Sequence, residues 1–249
     1  SRAGQKLKAA VDAFRLDASG LHVLDVGAST GGFTDCMLHE GAASVCAIDV
    51  GHGQLHSSLA ADARVTSLEG VNARELDAER LPRASFDAIV IDVSFISLQL
   101  VLPAVWPLLE QHAQKRARLL ALVKPQFEAG LQAAKRGKGL VNDPKVLRKV
   151  VEDVTTFARE LPGCSVVGII DSPITGGDGQ REYLLALAPE SAGAPPVVGD
   201  ELDFGERMAS APPATSAPLM DSNLVAGLPP ELLPDTSVKR KETAAARAA

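Results

Sequence analysis

Cysteine, aromatic residues and long apolar runs are all scarce in this 249-residue chain, and each scarcity closes off a class of protein. Three cysteines (Cys36, Cys46 and Cys164) stand far apart without a C-x-x-C pair, which argues against a disulfide scaffold or a zinc ribbon and suits a reducing, cytoplasmic setting. No apolar run approaches the roughly 18–20 residues that cross a bilayer; the best, Phe86–Ile91 and Leu119–Val123, are strand-sized. No membrane association is therefore expected, and no sustained amphipathic segment marks a membrane-lytic protein. Residues 1–20 carry Arg2, Lys6, Lys8, Asp12 and Arg15 without an apolar stretch, so no secretory leader is read in them. Ser94 and Ser97 lack a G-x-S-x-G elbow, which disfavours a hydrolase. His52 and His56 lack an H-E-x-x-H pattern and a third ligand, so no metal site is expected.

What is present is an ordinary globular balance, 46% hydrophobic and 22% charged, sufficient for one substantial domain. Composition changes near residue 190. The 59 residues from Ser191 to Ala249 hold eight of the 16 prolines, twelve alanines and a single aromatic, Phe204. Such a stretch buries too little apolar area to offset its ordering entropy, so residues 1–190 are read as the domain and 191–249 as a disordered Pro/Ala-rich tail. The net charge of −6 conceals polarity: residues 115–149 hold ten Lys/Arg against Glu128 and Asp143, a local +8. The first 16 residues add Arg2, Lys6, Lys8 and Arg15 against Asp12. Segments of this kind either converge into a positive face for a polyanion or remain solvated surface charge.

Between residues 20 and 190, short apolar runs alternate with helical spacing. Strands are expected at Leu21–Val26, Ser44–Ile48, Arg64–Ser67, Phe86–Ile91, Leu119–Val123, Val166–Ile170 and Tyr183–Ala188. Helices are expected at 32–40, Leu98–Glu110 and Lys145–Glu160. The alternation predicts a doubly wound α/β fold on a mostly parallel sheet. Ligands in such folds bind beyond the carboxyl ends of the strands, so the residues that close each strand carry the functional signal.

The first strand runs into Gly27-Ala28-Ser29-Thr30-Gly31-Gly32-Phe33, a turn that lets a ligand approach backbone at a helix N-terminus. No Gly-Lys-Ser/Thr follows, and the spacing is not G-x-G-x-x-G, so a nucleotide phosphate or dinucleotide is a poor fit. The second strand ends at Asp49, near the ~20-residue offset at which an acid meets ribose hydroxyls. A ribose acid without a pyrophosphate turn points to an adenosine ligand lacking phosphates, with S-adenosylmethionine the foremost candidate; a purely structural turn is the alternative. Asp92 closes the Phe86–Ile91 strand and Lys124 closes Leu119–Val123. A lysine ending a buried strand needs a partner or a lowered pKa, and an Asp92–Lys124 pair is equally compatible with catalysis or with a plain ion pair at the core rim.

Five segments, taken together, resemble the TlyA family of FtsJ-like ribosomal RNA ribose 2′-O-methyltransferases, some labelled hemolysins. They are Ser1–Leu7, Asp25–Asp35, Asp49–Leu55, Asp92–Ser97 and Lys124–Gly130, and the resemblance covers roughly residues 1–188. It implies a Lys-Asp-Lys-Glu catalytic tetrad at Lys6, Asp92, Lys124 and Glu182. It also implies that Gly27, Ser29, Gly31, Gly32 and Phe33 line the methionine side of S-adenosylmethionine beside Asp92, that Asp49 holds the ribose, and that Asn72 lies near the adenine. The sequence departs from the family at Ala3, where a second glycine is usual, and at His52, Gln180 and Arg181. Gln180 and Arg181 bear on the placement of Glu182. The family's small N-terminal RNA-binding domain has no counterpart in these residues.

A ribose hydroxyl must lose its proton as it attacks a sulfonium methyl. A free lysine, with a pKa of about 10.4, is protonated at neutral pH, but burial and a second cation push such a group toward roughly 7–8. Lys124 is the expected base, with Lys6, Asp92 and Glu182 positioning and tuning it, and RNA as the partner. The rival readings are a non-catalytic RNA-binding or ribosome-assembly factor on the same fold and, more distantly, a nicotinamide oxidoreductase.

Overall fold

A computed structural model describes residues 1–76, 78–109, 117–130, 140–192 and 202. Its centre is a seven-stranded sheet: β1 (His22–Val26), β2 (Ser44–Asp49), β3 (Val65–Glu69), β4 (Ala88–Ile91), β5 (Arg118–Val123), β6 (Cys164–Asp171) and β7 (Tyr183–Pro189), in the order β3-β2-β1-β4-β5-β7-β6. All pairs are parallel except those of β7, which runs antiparallel to both β5 and β6. The register aligns the strand ends. Val26 pairs with Ile48 and with Ile91, so Gly27, Asp49 and Asp92 emerge along one edge. Because β7 is reversed, its first residue, Tyr183, pairs with the last residue of β5, Val123. Glu182 and Lys124 therefore lie opposite one another, one step beyond the paired residues.

Period-two alternation sends side chains to two packed faces. On one face Leu24, Val26, Ile89, Ile91, Leu119, Ala121 and Val123 meet α4 (Leu98–Val105) and α6 (Pro144–Arg159). On the other, Val23, Val45, Ala88, Val90, Leu120, Leu122 and Leu184 meet α1 (Arg2–Ala13) and α2 (Gly32–His39). The short helices α3 (Ser57–Ala60) and α5 (Pro125–Glu128) lie in loops at the strand ends. Each fully buried Leu, Ile or Val contributes roughly 1.5–3 kcal/mol, so these two layers dominate stability.

The doubly wound architecture agrees with the sequence reading, with local differences. The helix expected over Leu98–Glu110 ends at Val105 and tightens into a 3₁₀ turn over Trp106–Leu108, because Pro107 has no N–H to continue the ladder. The strand expected from Phe86 begins at Ala88; Phe86 makes an isolated bridge with Leu109, and the Asp87 side chain accepts from His22 N at 2.8 Å. Helix α1 was not anticipated. Ser1 caps it by accepting from Gly4 N, and Lys6, Leu7, Ala10 and Val11 form its buried face. The three cysteines are free and buried, and burial pushes Cys36 up to about 11 and Cys46 and Cys164 up to about 12. The disordered-tail reading falls almost wholly outside the described residues, as do Lys115, Arg116, Lys135, Arg136 and Lys138 of the basic segment. Among the described residues no helix is long and apolar enough to cross a membrane.

Candidate active site

After Val26 the chain turns sharply at Gly27, whose φ is +81° and whose bare Cα lies against β4; a Cβ there would sit 2.6 Å from the Asp92 carbonyl oxygen. The amides of Gly27 and Ala28 both donate to the Ile48 carbonyl. Asp49 braces the turn from the next strand: Oδ2 accepts from Ser29 N at 2.8 Å and Oδ1 from Gly51 N at 2.7 Å. An open cleft results, lined by Ala3, Gly27, Ser29, Gly32, Phe33, Asp92, Ser94 and Lys124, with Ala28 and Thr30. Gly31 does not line it; its bare Cα faces Leu55 and Leu59. Asn72 caps a 3₁₀ turn by accepting from Arg74 N, and the preceding Val71 N donates to the Asp49 carbonyl.

Beneath the turn lies Asp25, fully buried on the α1/α2 face. Its Oδ2 accepts from Thr34 Oγ1 at 2.6 Å, while Oδ1 has no hydrogen-bond partner among the described residues. Burial pushes this carboxyl up to about 7, the nearby Asp92 and Asp49 charges add to the rise, and the Thr34 hydroxyl opposes it.

The tetrad residues form two ion pairs at the same sheet edge. Lys124 Nζ lies 2.7 Å from Asp92 Oδ1 and donates to Ser94 Oγ at 2.8 Å. Lys6, on α1, donates to Glu182 Oε2, both groups being buried. Each lysine is matched by one carboxylate, which makes the burial of the Lys6–Glu182 pair tolerable. Glu182 is confined further by Gly176, where a Cβ would lie 2.4 Å from Oε1. Gly176 N donates to the Gln180 carbonyl, closing the 175–179 glycine turn, and Arg2 Nη2 donates to the Thr175 carbonyl, fastening the turn to α1.

The departure at Gln180 has a structural account. Its buried side chain accepts from Val141 N at 2.7 Å and donates to Val141 O at 2.9 Å, completing a backbone-like bridge two residues before Glu182. Sequence reasoning missed this bridge, as it missed Ser94 as a partner of Lys124. It also passed over Phe95. That residue sits on the same loop with φ +65° and 79% exposure, its ring 5.0 Å from that of Phe127. The only available sign was the aromatic placed one residue before Ile96-Ser97, where α4 begins.

The donor set fits S-adenosylmethionine. Among the described residues Lys124 is the single basic side chain lining the cleft, which is a poor match for a phosphate, while Asp92 in the same lining offers negative charge to a ligand bearing a positive sulfur. Among the described residues no group of three or more His, Cys, Asp or Glu is placed to hold a metal.

The comparisons with known proteins agree with this geometry. The family model described as FtsJ-like methyltransferase matches residues 1–188. The chain is 45% identical over 191 residues to the Mycobacterium tuberculosis 16S/23S rRNA (cytidine-2′-O)-methyltransferase TlyA, covering 77% of this chain and 69% of that relative. It is 39% identical over 184 residues to Hemolysin A of Brachyspira hyodysenteriae, covering 74% of each. A Lactococcus lactis crystal structure provisionally described as a hemolysin superposes with a TM-score of 0.72 at 40% identity, covering 82% of this chain and 93% of that one. A glycine-rich turn, a bracing acid and a Lys–Asp pair on one edge of this sheet thus coincide with a family match over residues 1–188, and the chain belongs to the FtsJ-like methyltransferase family, in its TlyA branch.

Proposed function

We propose that the chain transfers a methyl group from S-adenosylmethionine to a ribose 2′-hydroxyl of ribosomal RNA in the cytoplasm. The observation that carries this reading is the Lys124–Asp92 pair lining the cleft beside the glycine-rich turn, faced across the sheet edge by Glu182 and its partner Lys6. When bound, S-adenosylmethionine supplies a methyl on a positively charged sulfur. Gly27, Ser29, Gly32 and Phe33 would hold its methionine side, Asp49 its ribose and Asn72 its adenine end.

The remaining chemistry belongs to the chain. Lys124 would accept the proton of the attacking hydroxyl after giving up its own to solvent, a contribution of about 10²–10⁴ in rate for a well-placed general base. Asp92 and Ser94 fix Nζ in position. The Lys6–Glu182 pair holds the far side of the hydroxyl and keeps water out of the cluster. Phe95, ring outward and backed by Phe127, offers the acceptor base a stacking surface, worth about 1–3 kcal/mol per base in single-stranded recognition. The described basic residues of 115–149 that reach solvent, such as Lys145, contact phosphates, so binding weakens steeply with salt.

The test is transfer of tritium from methyl-labelled S-adenosylmethionine to in vitro-transcribed 16S and 23S ribosomal RNA by the 249-residue chain. Label in dinucleotides that resist alkaline hydrolysis is the expected result, since a 2′-O-methyl group blocks cleavage. Cofactor binding without any transfer, or label confined to bases, overturns the reading.

A further inference from the structure

Two loops meet at the mouth of the cleft. One, residues 92–97, begins with Asp92 and ends at Ser97, the N-cap of α4; the other is Lys124 with α5. Lys124 grips the start of the first loop through Asp92 and Ser94. Four residues on, Glu128 grips its end. Glu128 Oε2 accepts from Ser97 Oγ at 2.6 Å and Oε1 accepts from Leu98 N at 2.8 Å. This carboxylate, 30 residues distant in sequence, satisfies the exposed amides of α4 together with Ser97 and complements the positive end of the helix. Burial raises the Glu128 carboxyl above its ordinary range, opposed by the Leu98 and Ser97 hydrogen bonds. Between the two grips the loop carries Phe95 with a left-handed backbone, a conformation a bulky residue holds only when its surroundings impose it.

We infer that Glu128 is a positioning residue for the acceptor side of the reaction: it fixes the loop so that the Phe95 ring, next in sequence to the cleft-lining Ser94, is held outward against Phe127, and it acts on RNA rather than on S-adenosylmethionine. The inference rests on the methyl-transfer reading for its kinetic consequence, but not for its structural one. No atom of Glu128 lines the cleft, and both of its partners lie at the α4 end of the loop.

The structural consequence is read without substrate. The chain labelled with 4-fluorophenylalanine carries seven reporters, and Phe95→Leu and Phe127→Leu assign two fluorine signals. Glu128→Ala shifts or broadens the Phe95 and Phe127 signals and leaves those of the α1/α2 face, Phe14 and Phe33, in place. Unmoved Phe95 and Phe127 signals overturn the inference, whatever the chain methylates.

The kinetic consequence uses the ribosomal RNA transcripts. Glu128→Ala raises KM for RNA and lowers kcat/KM about 10–50-fold, with calorimetric affinity for S-adenosylmethionine within about twofold of wild type. Glu128→Gln, which retains an acceptor for Leu98 N, recovers most of the loss. In a Phe95→Ala background, Glu128→Ala adds less than about threefold, because both changes remove one function. Additive losses, or loss of cofactor affinity alongside RNA, make Glu128 a general scaffold residue and overturn the proposal; Ser97→Ala, a smaller change at the same contact, repeats the test should Glu128→Ala not fold. If the wild-type chain transfers no methyl, the functional reading falls, and the fluorine signals alone decide the role of Glu128.

Discussion

Lys6 and Glu182 are 176 residues apart in sequence and form an ion pair whose side chains are only 10% and 3% exposed. A buried pair of this kind contributes little net stability while intact, yet leaves an uncompensated charge when one partner is removed. The strand register puts it on the same sheet edge as Lys124 and Asp92.

Glu182→Ala is accordingly expected to lower stability by about 3–5 kcal/mol and to abolish methyl transfer. Lys6→Met combined with Glu182→Leu restores the midpoint of urea unfolding to near wild type while activity stays absent. Recovery of methyl transfer in the double variant would show that the pair is structural only.

Lys124→Ala lowers the rate of methyl transfer by about 10²–10⁴ and leaves calorimetric affinity for S-adenosylmethionine within a few-fold of wild type. Lys124→Arg does not rescue, because a guanidinium stays protonated and cannot accept the hydroxyl proton. An active arginine variant would assign Lys124 an electrostatic role in place of the base.

Gly27→Ala strikes both the conformation and the floor of the cleft. The left-handed backbone costs a non-glycine residue about 1–2 kcal/mol, and the new methyl would press on the Asp92 carbonyl. The expected outcome is a cofactor affinity reduced at least ~10-fold, read by titration calorimetry, with a smaller fall in thermal stability.

Asp25 makes stability depend on pH. Its folded value of about 7 lies above the ordinary 3.8, so between those values the folded protein holds a proton that the unfolded chain has released. Stability from this group therefore falls as pH rises through that window and levels off above about 7, by an amount on the order of 4 kcal/mol at most. Asp25→Asn removes the slope. Its stabilisation relative to wild type, measured by urea unfolding, is larger at pH 8 than at pH 5; an equal difference at both overturns the assignment.

The strand ends were legible because buried parallel strands are apolar runs that stop abruptly, and Asp49, Asp92 and Lys124 are the polar residues at those stops. Gly27 was legible as the first glycine after such a run. Helix α1 was not, because its apolar face consists of little more than Leu7, Ala10 and Val11, with glycine in the first turn, and its packing surface is contributed by helix α2 and by β7, far along the chain. Nor could sequence alone reveal the Gln180–Val141 bridge, which depends on side-chain reach between segments 39 residues apart, or the left-handed backbone of Phe95, which local propensity opposes. The expected helix past Val105 failed for a readable reason, Pro107, outweighed in the reading by the apolar spacing around it.

The reversed strand β7 also governs when this molecule becomes competent during its synthesis. Lys6 precedes and Glu182 follows every other member of the tetrad, and β7 must slide between β5 and β6 before Glu182 meets its partner. A growing polypeptide that has emerged through β5 already carries the glycine-rich turn, Asp92 and Lys124, but has no Glu182. Until β7 is in place Lys6 lacks the carboxylate it pairs with, so the last strand to be made also completes the sheet edge that carries Asp92 and Lys124.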